Sequence, residues 1–274
     1  RDDVISMFAN LGYTANVHSD PLFDFSIPED KETFDMLSTE QQAAVKDATA
    51  DTIVVDVPGK SERTMALMAH YDSATVEGTE NDEQSYSSGT SHGAADDGYG
   101  VAAIIETLRA IKAEGRQPEN SLKIVITDGE EIGLVGARNE MRHHRADYDN
   151  VDLFLNLEAR GMSGPAFMFE TSPNNSAVAG YFLSHVKQPV TGSLLPSLYA
   201  RMPNTTDMAK VIPEGFTVLN IAAIGDAEHY HHPTDAPRYV DHSTLQHYGD
   251  QVLGLTRAWA FDGQTPTLTA NGDL

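Results

Sequence analysis

The chain of 274 residues contains no cysteine and is poor in positive charge. Without thiols, cysteine catalysis, disulfide bonds and cysteine-bearing zinc sites are excluded, so a bound metal must be held by His, Asp or Glu. Lys and Arg number 18 against 41 Asp and Glu, which gives a net charge of −23. Nucleic-acid binding is therefore not expected, because phosphate contacts need clustered basic residues.

Long hydrophobic runs are also missing. The longest apolar stretches have the length of a strand and fall far short of the roughly 20 residues of a membrane-spanning helix, so we expect no membrane contact by this segment itself. No signal peptide is visible at Arg1, a start that we interpret as processing or trimming. The acidic surplus has two explanations, which are solubility in a salty or extracytoplasmic setting and a few carboxylates that bind cations.

Apolar β-rich runs alternate with helical patterns along the chain. Strands are predicted at Thr52–Val57, Thr64–Ala69, Leu122–Thr127, Val151–Leu157, Ala166–Phe169 and Val218–Ala222. Helices are predicted at Val101–Ala113, Ala177–Val186 and Leu245–Ala260. This alternation predicts one α/β domain over residues 1–274, a three-layer αβα sandwich with a largely parallel mixed sheet.

Three segments depart from this pattern. Phe23–Ala50 is polar and aromatic and is predicted to form an insertion or cap. Thr75–His92 is rich in Ser, Gly, Glu and Asp without periodicity, which predicts a loop at the rim of the active site. Gly263–Leu274 is predicted to be a loosely attached tail.

Short motifs with acids or histidines adjoin the predicted strands, and open α/β sheets bind ligands at strand ends. The first is His70-Tyr71-Asp72, in which a carboxylate two residues away could orient a zinc-ligating imidazole. A histidine in that position is also commonly structural. The second, Asp96-Asp97, lies among glycines before a helix and fits either a cation site or a solvated turn.

The remaining motifs add three more acids and three histidines. Glu130 and Glu131 would repel each other unless they share a cation or a proton, so one could ligate a metal while the other takes a proton from water. A polar loop is the alternative. Glu158 closes its strand and could form an ion pair with Arg160 instead of binding a metal. The histidines of the segment 229–235 could likewise form a surface tract instead of a metal site.

In chain order, these motifs resemble the M28 family of zinc aminopeptidases from about Thr64 to Trp259. The resemblance implies a zinc-dependent exopeptidase-like sheet with helices on both faces, two Zn²⁺ ions at the strand ends and a peptide substrate. It also implies a frequent cis peptide at the Asp96–Asp97 junction. The implied catalytic residues are Glu130 as general base and Asp72 behind His70, and the implied metal ligands are His70, Asp96 as the bridge, Glu131, Glu158 and His231.

Two departures from the family pattern matter. Many members have Asp in place of Glu158, and the Asn-Leu-Glu-Ala form resembles a subgroup whose peptidase domain is joined to transmembrane helices. We therefore expect an extracytoplasmic domain that is periplasmic, secreted or membrane-tethered. His232 stands where Thr or Ser is common, but Pro233 and Asp235 have the family spacing from His231. On an extended segment adjacent side chains point to opposite sides, so His232 is expected at the rim.

The implied function is removal of amino-terminal residues from peptides by a metal-bound hydroxide. Arg160, Tyr230 and His232 are expected to contact the substrate, and Tyr230 or Tyr199 could stabilise the oxyanion. The alternatives are a single-zinc glutaminyl cyclase-like acyltransferase, a carboxypeptidase of the same fold, and a non-catalytic binding domain. A carboxypeptidase would need Arg160 or Arg201 for the substrate carboxylate, and a binding domain should have lost a ligand or the base.

Overall fold

The computed structural model of the chain describes residues 1–76, 89–194, 199 and 205–266. A seven-stranded sheet forms its middle layer, with strand order β1-β2-β6-β3-β7-β9-β8. The strands of this sheet are β1 (Asn16–Pro21), β2 (Thr49–Val57), β3 (Ser61–His70), β6 (Asn120–Thr127), β7 (Val151–Ala159), β8 (Ser163–Thr171) and β9 (Val218–Gly225). A separate ribbon pairs β4 (Thr75–Val76) with β5 (Gly89–Thr90).

The four central strands of the sheet run parallel. Strand β3 pairs in parallel with both β6 and β7, and β7 pairs in parallel with β9. The outer strands β1, β2 and β8 join them antiparallel. The carboxyl ends of the central strands therefore meet at one edge of the sheet, which is the edge that carries the predicted motifs.

Helices cover both faces of the sheet and confirm the predicted αβα sandwich. The helices are α1 (Asp2–Asn10), α2 (Pro28–Met36), α3 (Thr39–Val45), α4 (Gly98–Ala113), α5 (Val135–His143), α6 (Ser176–His185), α7 (Met208–Val211) and α8 (His242–Asp262). On one face Tyr99 of α4 and Trp259 of α8 are fully buried in the larger core. On the other face Met141 of α5 and Met208 of α7 close a smaller core.

The six predicted strands and three predicted helices all form, most of them longer than predicted. The sequence prediction missed β1, because this six-residue edge strand is largely polar and exposes one face, so it lacks a hydrophobic run. It also missed the short helices α5 and α7. Their apolar residues are too few to establish a helical period.

The three unusual segments have different outcomes. The segment Phe23–Ala50 contains α2 and α3, and an Asp30–Arg138 ion pair of 2.5 Å ties it to α5, while its role as an insertion or cap stays a prediction. Residues 77–88 of the expected rim loop and 267–274 of the expected tail lie outside the described residues. Within the described ranges, no helix has the length and apolarity needed to cross a membrane.

Candidate metal centre and active site

Each predicted motif lies at the carboxyl edge of the parallel strands. His70 is the last residue of β3, and Glu158 is the next-to-last residue of β7. Glu130 and Glu131 follow β6, and the histidine motif follows β9. The Asp96–Asp97 peptide, which is cis as the family resemblance implies, directly precedes α4. The topology thus brings residues that are up to 161 positions apart in sequence into one cluster.

Two groups of possible metal ligands share Asp96. Its Oδ1 lies 3.2 Å from His70 Nε2, which is itself 3.9 Å from Glu158 Oε2. Its Oδ2 lies 3.3 Å from His231 Nε2, which is 2.8 Å from Glu131 Oε2. One carboxylate therefore faces a separate His–Glu pair with each oxygen, as a residue that bridges two cations must.

The polar atoms of this cluster satisfy one another poorly. Asp96 Oδ2, Glu131 Oε1 and His231 Nε2 are buried and have no correctly oriented hydrogen-bond partner among the described residues. Buried polar atoms in native proteins are nearly always satisfied, so atoms left in this state call for an ion. Two imidazoles and three carboxylates form a donor set that Zn²⁺ accepts, and the residues therefore fit divalent metal.

The electrostatics of the metal-free cluster agree with this fit. Burial and the charge of Glu130 raise the pKa of the Glu158 carboxyl well above its ordinary value. Burial opposes protonation of His231, but the nearby carboxylates of Asp96 and Glu131 outweigh it and raise its pKa to about 9. Both pKa values thus reflect in part the negative charge of the clustered carboxylates, which a bound cation would offset.

Glu130 lines the adjacent cavity and is strongly affected by its surroundings. Burial and the nearby charge of Asp207 raise the pKa of the Glu130 carboxyl to about 9 in the metal-free chain. Asp207 is fully buried, accepts a 2.5 Å hydrogen bond from Thr127 Oγ1 and leaves Oδ1 without a partner among the described residues. The sequence prediction missed Asp207, which precedes a four-residue helix and no apolar strand. Glu130 also lies within ligand range of His70 and Glu131, so geometry alone does not separate base from ligand.

Asp72 supports the site through the backbone. Its Oδ1 accepts a hydrogen bond of 3.1 Å from the Glu130 amide, and its Oδ2 accepts one of 3.2 Å from the Glu131 amide. His70 Nδ1 lies 3.0 Å from the Asp72 carbonyl oxygen and 3.4 Å from its carboxylate. The expected contact with the His70 ring is thus made chiefly by the backbone, while the carboxylate positions the paired glutamates.

Two more aspartates position the bridging residue. The Asp235 carboxylate accepts hydrogen bonds from the amides of Ala95 at 2.7 Å and Asp96 at 3.1 Å. The Asp97 carboxylate accepts from Gly100 at 3.0 Å, where it caps α4, and from the His70 amide at 3.3 Å. These carboxylates therefore orient residues of the cluster and were not assigned from the sequence.

The His231 ring faces Asp96 and Glu131, but the extended segment from which His232 was expected at the rim does not form. His231 lies in a turn with φ of 52°, and the segment is not an extended strand. This left-handed residue directs the His231 ring toward Asp96 and Glu131. His232 Nδ1 instead lies 2.8 Å from Thr234 Oγ1. The bend between the two histidines separates their side chains.

A cavity of about 330 Å³ opens beside the cluster. Arg160 and Tyr230, both expected to contact substrate, line it, and so does Tyr199. His232 is not among the described residues of its wall, so its expected substrate contact stays a prediction. The Glu158–Arg160 ion pair considered from the sequence does not form among the described contacts within 4.0 Å. The wall consists of Asp96, Glu130, Glu158, Ala159, Arg160, Phe169, Tyr199, Thr205, Thr206, Ala222, Ile224, Ala227 and Tyr230.

A further group of possible ligands, His18, Glu140 and His144, lies away from this cavity. The two imidazole rings stack with centroids 3.9 Å apart and planes at 19°. Lone pairs of imidazole lie in the ring plane, so stacked rings direct them side by side and not toward a common ion. His18 and His144 bind Glu140 and Asp20 at 2.9 Å each, and so connect β1 to the region of α5.

Relatives and solved structures share this architecture. The chain is 28% identical over 202 residues to a vacuolar membrane protease of Lodderomyces elongisporus, covering 72% of this chain and 19% of that protein. The chain thus spans about a fifth of the length of this relative. A glutaminyl cyclase of Porphyromonas gingivalis superposes with a TM-score of 0.69 at 16% identity, covering 94% of this chain and 88% of that one. A Zn-dependent exopeptidase of Parabacteroides distasonis gives 0.65 at 17% identity, covering 92% and 86%.

The two solved structures are too distant in sequence to indicate more than a common fold. The family assignment comes from the sequence itself, because the model of peptidase family M28 matches residues 52–256. This range contains all five motifs and the cavity beside them. The chain belongs to peptidase family M28.

Proposed function

We propose that this domain is a two-zinc aminopeptidase that removes amino-terminal residues from peptides. The observation that carries the proposal is the position of Asp96 between His70 and His231, with one oxygen toward each. A site for one metal would use one carboxylate oxygen of Asp96 and would not require a second His–Glu pair beside the other oxygen. The adjoining cavity provides room for a substrate next to the cluster.

In this proposal, each metal has a defined set of ligands. His70 and Glu158 would hold one ion, Glu131 and His231 would hold the other, and Asp96 would contribute to both. When bound, the two zinc ions supply Lewis acidity that makes water more acidic and polarises the scissile carbonyl group. Three carboxylates and two neutral imidazoles leave about one positive charge in the loaded site, which favours this chemistry.

The proton chemistry is assigned to Glu130. Its carboxyl group lines the cavity and is the member of the glutamate pair that the two ligand triads sharing Asp96 do not use. Glu130 accepts the proton of the attacking water and delivers it to the departing amine. Asp72 holds Glu130 and Glu131 at their amides and thereby fixes the position of base and ligand relative to each other.

Two groups in the cavity wall are assigned to the substrate. The Tyr230 ring stacks on His231 with centroids 3.7 Å apart, which places the ring beside the proposed metal cluster. Burial raises the pKa of the Tyr230 hydroxyl well above its ordinary value, so it stays protonated and can donate a hydrogen bond to the oxyanion. Tyr199, also in the wall, is the second possible donor.

Glutaminyl cyclase activity is the second candidate, since one solved neighbour carries that name. A cyclase would release ammonia from an amino-terminal glutamine and would cleave no peptide bond. A carboxypeptidase would accept substrates with a blocked amino terminus. Both alternatives therefore predict substrates different from those of an aminopeptidase.

The test combines metal analysis with three substrate classes. We expect two zinc ions per chain, hydrolysis of leucyl-p-nitroanilide, and no hydrolysis of its N-acetylated form. One metal at saturating zinc together with cyclisation of glutaminyl peptides would instead establish the cyclase. Cleavage of N-acetylated peptides from their carboxyl terminus would establish the carboxypeptidase.

We also propose that the domain works outside the cytoplasm, tethered to transmembrane helices in the full-length protein. The acidic composition and the similarity to a much longer membrane protease support this location. Protease protection of the full-length protein in sealed vesicles tests it. Exposure of the domain on the cytoplasmic side would contradict the proposal.

A further inference from the structure

Arg160 differs from nearly every other described arginine because no carboxylate of the described residues lies within 4.0 Å of its guanidinium nitrogens. Of the ten arginines outside the undescribed ranges, eight form an ion pair. The exceptions are Arg160 and Arg238, and Arg238 is exposed on the surface. The chain has 41 acidic residues, so a shortage of acids does not explain why Arg160 forms no ion pair with the described residues.

The guanidinium group of Arg160 is also incompletely satisfied. Its Nη1 is buried and has no hydrogen-bond partner among the described residues. Its central carbon lies 4.9 Å from the centre of the Tyr230 ring, and that ring stacks on His231. This contact lies on the face of the Tyr230 ring and gives Nη1 no acceptor oxygen. A buried charged donor without an acceptor is costly, which argues against a purely structural role.

The backbone around Arg160 is held firmly at the edge of the cavity. The Arg160 amide donates a hydrogen bond of 2.8 Å to the Ala223 carbonyl oxygen. At Gly161 a Cβ atom would stand 2.1 Å from the Gly225 carbonyl oxygen, so the turn after β7 is in close contact with the end of β9. Arg160 directly follows the last residue of β7 and lies two positions after Glu158. Both residues line the cavity.

We propose that Arg160 binds a carboxylate of the substrate and thereby determines specificity. This inference rests on the proposed peptidase function and adds the substrate class. The other charged groups in the described cavity wall are Asp96, Glu130 and Glu158, so Arg160 is the only positive group there. A guanidinium fork matches a carboxylate with two parallel hydrogen bonds, and no other common group of a peptide satisfies it as well.

A peptide offers such a carboxylate from two sources. One is the side chain of an amino-terminal glutamate or aspartate, and the other is the carboxyl terminus of a dipeptide or tripeptide. The experiment compares glutamyl- with glutaminyl-p-nitroanilide for the first source. It compares Leu-Leu with Leu-Leu amide for the second. Each pair differs in charge and hardly in size.

The zinc-loaded domain should prefer the charged member of one pair by about 10- to 100-fold in kcat/KM, as expected for a desolvated charge-assisted hydrogen bond. Arg160→Gln should abolish this preference, because kcat/KM for the charged member of the pair should fall to that of its uncharged counterpart. Arg160→Lys keeps the charge without the fork and should retain only part of the preference. Arg238→Gln removes the same charge from an exposed, unpaired arginine and should leave the preference intact.

Three results would overturn the proposal: no preference in either pair, a preference that persists in Arg160→Gln, or an equal loss in Arg238→Gln. Melting temperatures show whether a variant is folded. The absence of a preference in either pair is decided with the wild-type domain alone, so that test does not depend on any variant. Failure of the proposed function looks different. In that case no substrate with a free amino terminus is cleaved, whereas here leucyl-p-nitroanilide is cleaved without any preference for carboxylates.

Discussion

Replacing Asp72 tests how far metal affinity depends on a residue outside the ligand set. In Asp72→Ala the amides of Glu130 and Glu131 lose acceptors at 3.1 and 3.2 Å. Each bond to a charged acceptor contributes about 1.5–3 kcal/mol, part of which water recovers because the Asp72 side chain is 17% exposed. Residues that orient metal ligands typically change affinity about 10- to 100-fold. We therefore expect zinc affinity to fall by about that factor, with a larger loss in kcat/KM because Glu130 is displaced too.

The assay measures zinc affinity by competition with a chelator, together with kcat/KM and the melting temperature with and without zinc. Asp241→Ala is the matched control, because the Asp241 carboxylate also accepts from two amides, those of Ser243 at 2.8 Å and Thr244 at 3.4 Å, but at the start of α8. It should lower the melting temperature and leave zinc affinity unchanged. Wild-type zinc affinity in Asp72→Ala, or an equal loss in Asp241→Ala, would refute the reasoning.

Three further predictions concern the ligands and the base. Glu130→Gln should retain both metals and lose several orders of magnitude in kcat, whereas Glu131→Gln should lose metal. Elemental analysis measures the metal content, and equal metal loss in both variants would contradict these separate roles. His231→Ala should lose one metal and nearly all activity, while His232→Ala should keep both metals and change mainly KM. The reverse outcome would mean that His232, one residue further along the chain, is the metal ligand. In chelator, melting temperatures should fall as pH rises from about 5 to 9. The folded-state pKa values of Glu130 and His231 are raised to about 9, so folding binds protons, and Glu130→Gln should flatten this dependence.

The strands that carry the site were predictable because they are buried on both faces. Leu122–Thr127 and Val151–Leu157 are largely apolar runs, and the structure buries nearly all of their residues. A motif that directly follows such a run is placed at the strand end with little ambiguity, as His70 and Glu158 show. Elements at the periphery, such as β1, lack that signal because solvent tolerates polar residues on one side.

Contacts between motifs were less predictable than the motifs themselves. Asp207 approaches the site from the segment before α7, and no local pattern distinguishes it from other acids of this acidic chain. The separation of His231 from His232 was predicted from family spacing, yet it arises from a left-handed turn that the sequence does not indicate. Arg160 was expected from the sequence to contact substrate. That it has no carboxylate partner among the described residues became evident only from the three-dimensional positions of the acids.

The aspartates that do not bind metal in this proposal explain why the motifs occur as pairs of polar residues. Asp72 of the first motif holds the amides of the third, Asp97 of the second holds the amide of His70 in the first, and Asp235 of the last holds the amides of the second. The first, second and last motifs thus each supply a residue for the cluster and a carboxylate that holds the backbone of another motif. Amide donors partly neutralise these buried carboxylates, so the remaining negative charge is concentrated on Asp96, Glu131 and Glu158. These hydrogen bonds link motifs that follow separate strands. Loss of any one of them should therefore misplace a metal ligand in the motif that donates the amide before it disturbs the motif that supplies the carboxylate.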